Sequence, residues 1–112
     1  MNFYDKIHEL VKCLKETEEF KEFISLKNKI RADEKAYTML KDFKEKQQKH
    51  QFEYINTGKL NEENQTSLEN LYSIIIQNED MRKLLECEMR INVLLADMQK
   101  IVGEGIKEII EF

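Results

Sequence analysis

Apolar residues recur along the last third of the chain with the period of an α-helix. At about 100° per residue, Leu84, Cys87, Ile91, Leu94, Leu95, Met98, Ile101, Val102, Ile106 and Ile109 gather on one face. A second, shorter strip of Leu85, Met89, Val93 and Ala96 falls roughly opposite. A helix that is apolar on two sides is ordinarily covered on two sides, so the upstream chain reads as material that covers this one.

The same period marks four more helices. Phe3, Ile7, Leu10 and Leu14, widened by Val11, define a helix over about Asn2–Glu16. Thr17 is placed to cap a second helix, with Glu18 and Glu19 in its first turn and Lys27, Lys29 and Arg31 near its end, as the helix dipole favours. Phe20, Phe23, Ile24 and Ile30 supply its buried side. Asp33 caps a third helix that runs to about Asn56, where Asn56-Thr57-Gly58 forms a stop and Gly58 is free to turn left-handed. Asn61, followed by Glu62 and Glu63, opens a fourth helix with Leu68, Leu71, Tyr72, Ile75 and Ile76 on its apolar face. The break at Asn78-Glu79-Asp80 is weak and reads as a turn or sharp kink. Gly103 and Gly105 each cost about 1 kcal/mol in a helix, which predicts a bend or fray there and a last apolar turn at Ile106–Ile110.

In the third helix Ala36, Leu40, Phe43, Gln47, His50 and Tyr54 follow a 4-3-4-3-4 spacing, the seam of an antiparallel helix pair. The expected fold is all-α: one domain over residues 1–112, an elongated bundle of about five helices built on two long antiparallel ones, the third and the fifth. Phe52 falls about 180° from Phe43, among Glu34, Lys41, Glu45 and Lys59. Together with the off-face strip on the fifth helix it leaves apolar groups that a short chain cannot cover. The prediction is a homodimer or higher homo-oligomer whose oligomer or partner interface uses Phe52, Leu85, Met89, Val93 and Ala96.

Composition agrees with long, solvated helices. The 112 residues include no proline and only three glycines, and 36% are charged. The net charge of -4, with both signs interspersed, gives no case for binding nucleic acid or an anionic membrane. Asp42–Lys46, Glu45–Lys49, Glu79–Lys83 and Glu86–Arg90 are acid-first i,i+4 pairs that mark exposed faces. No apolar run approaches the ~20 residues that span a bilayer, and Met1 to Asp5 do not open a signal peptide, so the expected location is the cytoplasm.

Candidate chemistry is sparse. The chain has no glycine-rich phosphate loop and no HExxH, and no Ser/His/Asp set stands out, so no catalytic residue, cofactor or metal ligand is assigned and no enzyme is expected. His50 on the seam reads as a polar residue that sets register, with a metal ligand or pH-sensitive contact as the alternative. Cys87 reads as a small buried hydrophobe and Cys13 as a reduced thiol beside the first stripe. A dimer would pool four thiols, so a metal- or iron–sulfur-binding redox sensor using Cys13 and Cys87 is the alternative function, although the chain lacks a CxxC spacing.

The order of features carries a resemblance. Asn2-Phe3-Tyr4-Asp5 opens a short helix and Thr17-Glu18-Glu19-Phe20-Lys21-Glu22-Phe23 follows. Then come Ile30-Arg31-Ala32-Asp33-Glu34-Lys35-Ala36, the Leu40–Gln48 stretch, the Gly58 stop, the Asn78 break and Leu85–Asp97. Over essentially its whole length the chain resembles the YlbF/YmcA/YheA family of small bacterial helical proteins, its start most like the YheA-type members. The resemblance implies an all-α fold, homodimers or larger assemblies, and a cytosolic, non-enzymatic role as a protein-interaction adaptor. Better-studied branches are accessory proteins that influence RNA processing by a membrane-anchored ribonuclease, and through it competence, biofilm formation and sporulation. Some relatives are linked to iron–sulfur clusters. The family supplies no catalytic residues to carry over.

Overall fold

The computed structural model describes residues 2–112, and these form five α-helices and a short 3₁₀ turn with no strand among them. Each helix starts where a side chain accepts a hydrogen bond from an otherwise orphaned backbone N–H. Asn2 accepts from Tyr4 N at 2.8 Å to open α1, Phe3–Lys15. Thr17 Oγ1 accepts from Phe20 N at 3.3 Å to open α2, Glu18–Arg31, while its hydroxyl donates to Leu14 O at 2.7 Å and so closes α1 as well. Asp33 accepts from Ala36 N at 3.2 Å to open α3, Glu34–Thr57. Gly58 ends α3 at φ 71, with its N–H donating to Tyr54 O at 2.7 Å. Asn61 accepts from Asn64 N at 3.1 Å to open α4, Glu62–Ile75.

Residues 76–78 form the turn expected at the weak break, and Asn78 accepts from Met81 N at 3.0 Å to open α5, Glu79–Gly105. Gly103 does not interrupt α5: the helix passes through it, and Ile106 N still reaches Val102 O at 3.1 Å. One glycine costs about 1 kcal/mol, too little to break an established hydrogen-bond ladder. The 3₁₀ turn Lys107–Ile109 follows, and the apolar residues around it are exposed rather than packed. Among the described residues no helix is long and apolar enough to cross a membrane.

Backbone packing divides the chain into two compact units. One is the continuous stretch Ser25–Leu84, and the other combines the residues up to Ile24 with Leu85–Phe112. In the continuous unit α3 and α4 are joined by residues 58–61 and lie along each other. The Phe43 and Tyr72 rings meet between them, centroids 6.0 Å apart. Seam residues Ala36, Leu40 and Phe43 are buried as their spacing predicts, Gln47 and His50 are half-buried, and Tyr54 is exposed. Ile30, Ile75, Met81 and Leu84 complete the core of this unit. The helix that lies along α3 within this unit is α4. The spacing identifies which face of α3 is covered, and the four-residue connection decides what covers it.

In the unit made from the chain ends, α5 meets the start of α2. The Cys87 thiol donates to Glu19 O at 2.8 Å, and Arg90 pairs with Glu22 at 3.3 Å. Only Leu85 and Cys87 are buried here among the described residues, and α1 has no buried residue at all.

Candidate interaction surface

The interface residues expected from sequence take different positions. Met89 and Val93 are 66% and 59% exposed, and Ala96 is exposed with them on one side of α5. Phe52, on α3 in the continuous unit, is 66% exposed. Leu85 is the exception. It is 9% exposed and belongs to the chain's own core, so the exposed strip begins at Met89. Side chains at 85 and 89 share a helix face, but the chain covers the first turn of that face and not the next.

A larger uncovered surface lies on the main α5 stripe, which the sequence reading treats as core. Leu84 and Cys87 are buried and Ile91, Leu94, Leu95 and Met98 are half-buried, while Ile101, Val102, Ile106 and Ile109 are all exposed. Burial thus falls away along the stripe although its apolar pattern continues. The α1 stripe is in the same condition, with Phe3, Ile7, Leu10 and Val11 exposed. The available signal was a count of elements: two amphipathic helices at the chain ends had no third apolar face of comparable length assigned to them.

Among the described residues, Cys87 and Tyr37 are the titratable groups that depart clearly from their ordinary values. Burial, reinforced by the Glu22 charge, pushes the Cys87 thiol up from its ordinary value and keeps it protonated at neutral pH. The Arg31 guanidinium lies over the half-buried Tyr37 ring, 5.3 Å from its centroid, and holds the phenol below its ordinary value through hydrogen bonding and charge. Cys13 and Cys87 are unbridged, one exposed and one buried. Among the described residues no three His, Cys, Asp or Glu side chains converge as a metal site. Two open depressions of about 790 and 360 Å³ flank the start of α3 and share Asp33, Lys35 and Met39. The Asp42–Lys46 and Glu79–Lys83 pairs form at 3.2 and 3.1 Å, and Arg90 reaches across to Glu22. All are solvent-exposed and contribute little.

Residues 3–107 match the model of a family described as control of competence regulator ComK, YlbF/YmcA. A UPF0342 protein of Symbiobacterium thermophilum is 38% identical over 103 residues, covering 92% of each chain. One from Clostridium tetani is 39% identical over 106 residues, covering 95% of this chain and 91% of the relative. Among solved structures, yheA from Bacillus subtilis superposes with a TM-score of 0.71 at 25% identity, covering 97% of this chain and 99% of its own. A DUF964 protein from Bacillus stearothermophilus gives a TM-score of 0.78 at 18% identity, covering 94% and 92%, and shows the same fold.

Proposed function

The chain belongs to the YlbF/YmcA family, tied by its description to control of the competence regulator ComK, and on that basis we propose that it is a non-enzymatic, homo-oligomeric helical adaptor. It works by binding other proteins in the cytoplasm and has no chemistry of its own. The observation that carries this reading is the loss of cover along α5: the apolar stripe continues to Ile109, but burial stops near Met98. An apolar face that continues past its own core is the signature of an intermolecular surface. The α1 stripe adds a second such face. The strip of Met89, Val93 and Ala96, with Phe52 on α3, provides further apolar positions for a second copy or another protein. Regulation of RNA processing or of development is the setting that the family's regulatory branches suggest.

The test is light scattering at micromolar concentration on the wild type and on the double variant Met89→Glu with Val93→Glu. A wild-type dimer that dissociates in the variant, with helicity retained, supports an interface through this strip. A monomeric wild type overturns the homo-oligomer reading. The alternative, a metal- or iron–sulfur-binding redox sensor using Cys13 and Cys87 in a dimer, is tested by colour and metal content after anaerobic purification.

A further inference from the structure

The unit made from the chain ends carries two uncovered apolar stripes. One runs along α1 from Phe3, and the other runs from Ile101 past the end of α5 to Ile109. Apart from half-buried Leu14, their large apolar residues are 41–71% exposed. Together the stripes leave roughly 800 Å² open on each copy, about what one partner contributes to a stable protein–protein interface. A second copy supplies an equal area in return, so the surface is large enough for self-association through these stripes alone.

The charges that border the stripes decide how two copies meet. On α1, Lys6 follows Phe3 by three residues and precedes Leu10 by four, and Lys15 follows Val11 by four. Lysines therefore stand beside this stripe, while Asp5 and Glu9 fall on the far side of the helix. On α5, Asp97 and Glu104 stand four residues before Ile101 and three after it, so acid borders that stripe, and Lys100 falls on the far side. Farther up the same edge, Arg90 is already engaged with Glu22. Lys15, Asp97 and Glu104 are exposed and form no ion pair among the described residues. Lys6 reaches only Glu9 of its own helix, at 3.0 Å and in solvent. A second α1 laid on α1 would set lysine beside lysine, and a second α5 laid on α5 would set acid beside acid. A second α5 laid on α1 brings opposite charges together. Rim pairs of this kind add little affinity, but they select one pairing over its competitors.

Resting on the homo-oligomer reading, we propose that a second copy of this chain covers both stripes, packed so that α1 of each copy runs beside α5 of the other. The four stripes then share one core, and each copy contributes half of a four-helix arrangement.

The first test uses the wild-type chain. Unlabelled and isotope-labelled chains are unfolded together, refolded and treated with a carbodiimide, which joins an amine directly to a carboxylate. Mass spectrometry is expected to find mixed-isotope links from Lys6 or Lys15 to Asp97 or Glu104. The second test swaps charge. Ile7→Lys with Leu10→Lys, and Ile101→Glu with Ile106→Glu, should each give a monomer by light scattering, with helicity checked by circular dichroism. An equimolar mixture of the two variants should form a heterodimer at least about tenfold tighter than either variant forms with itself. A monomeric wild type overturns the homo-oligomer reading and this pairing with it. A wild-type dimer without mixed-isotope links between α1 and α5 overturns this pairing alone, as does a mixture of folded variants that stays monomeric.

Discussion

The sharpest test of the uncovered α5 stripe is to place charge on it. Ile101 and Ile106 are 70% and 49% exposed, so they contribute little to the fold of a single chain. Together they leave roughly 200 Å² of largely apolar surface open on each copy, or roughly 400 Å² in a symmetric pair. At about 25 cal/mol per Å², covering that area in a dimer stabilises association by up to roughly 10 kcal/mol before entropy is counted. That is comparable with the 4–15 kcal/mol, to order of magnitude, that association itself costs, so the area matters to the outcome. Ile101→Glu with Ile106→Glu removes the gain and sets like charges against each other across a two-fold interface. The variant should be monomeric at micromolar concentration by light scattering, with a far-UV circular dichroism spectrum matching that of the wild type. Its urea midpoint should become independent of protein concentration, as it does when subunit association no longer contributes to stability. A variant that stays dimeric with an unchanged midpoint would show that this stripe is not at the interface, and would leave Met89, Val93 and Ala96 as the remaining α5 surface.

Four further outcomes follow from the packing and the caps. Phe43→Ala empties a buried ring site against Tyr72 and should cost about 3–5 kcal/mol in urea unfolding, the usual range for a core phenylalanine. Asp33→Ala removes the α3 cap and should cost about 1 kcal/mol, with Asp33→Asn restoring most of it. Gly58→Ala forces a β-carbon into a left-handed conformation and should cost about 1 kcal/mol, although the space around it is open. Cys87→Ala should cost about 1 kcal/mol through a small cavity and the lost bond to Glu19 O. Because the folded thiol is harder to ionise than the unfolded one, its contribution is fully present below the ordinary thiol pKa. It is lost as pH rises past that value, where the unfolded chain ionises first. The gap in stability between wild type and Cys87→Ala should therefore narrow in alkaline urea titrations.

The helices were legible because their signals are local. Thr17, Asp33, Gly58, Asn61 and Asn78 each act on a backbone group within four residues, and each does in the structure what its residue type suggests. Partner choice is not local. The seam of α3 was readable as a face, and α4 lies along that helix, but periodicity by itself says nothing about what approaches. Leu85 fails for a related reason: angular position groups it with Met89, yet depth in the core depends on neighbours contributed by distant chain. The exposed half of the α5 stripe was read as core because periodicity records that a face is apolar and not whether the chain covers it.

The discontinuity of one unit has a consequence for synthesis on the ribosome. The stretch Ser25–Leu84 is continuous and holds the α3–α4 hairpin, whose four-residue connection makes its pairing a short-range event. It can assemble as soon as it clears the exit tunnel. The other unit needs residues from both ends of the chain, and the sixty residues between Ile24 and Leu85 must be made before its second half exists. Throughout that interval the one other part of its own unit that α1 can meet is the first half of α2, up to Ile24. On adjacent ribosomes of one message, each nascent α1 is then open to its neighbours before the chain is complete.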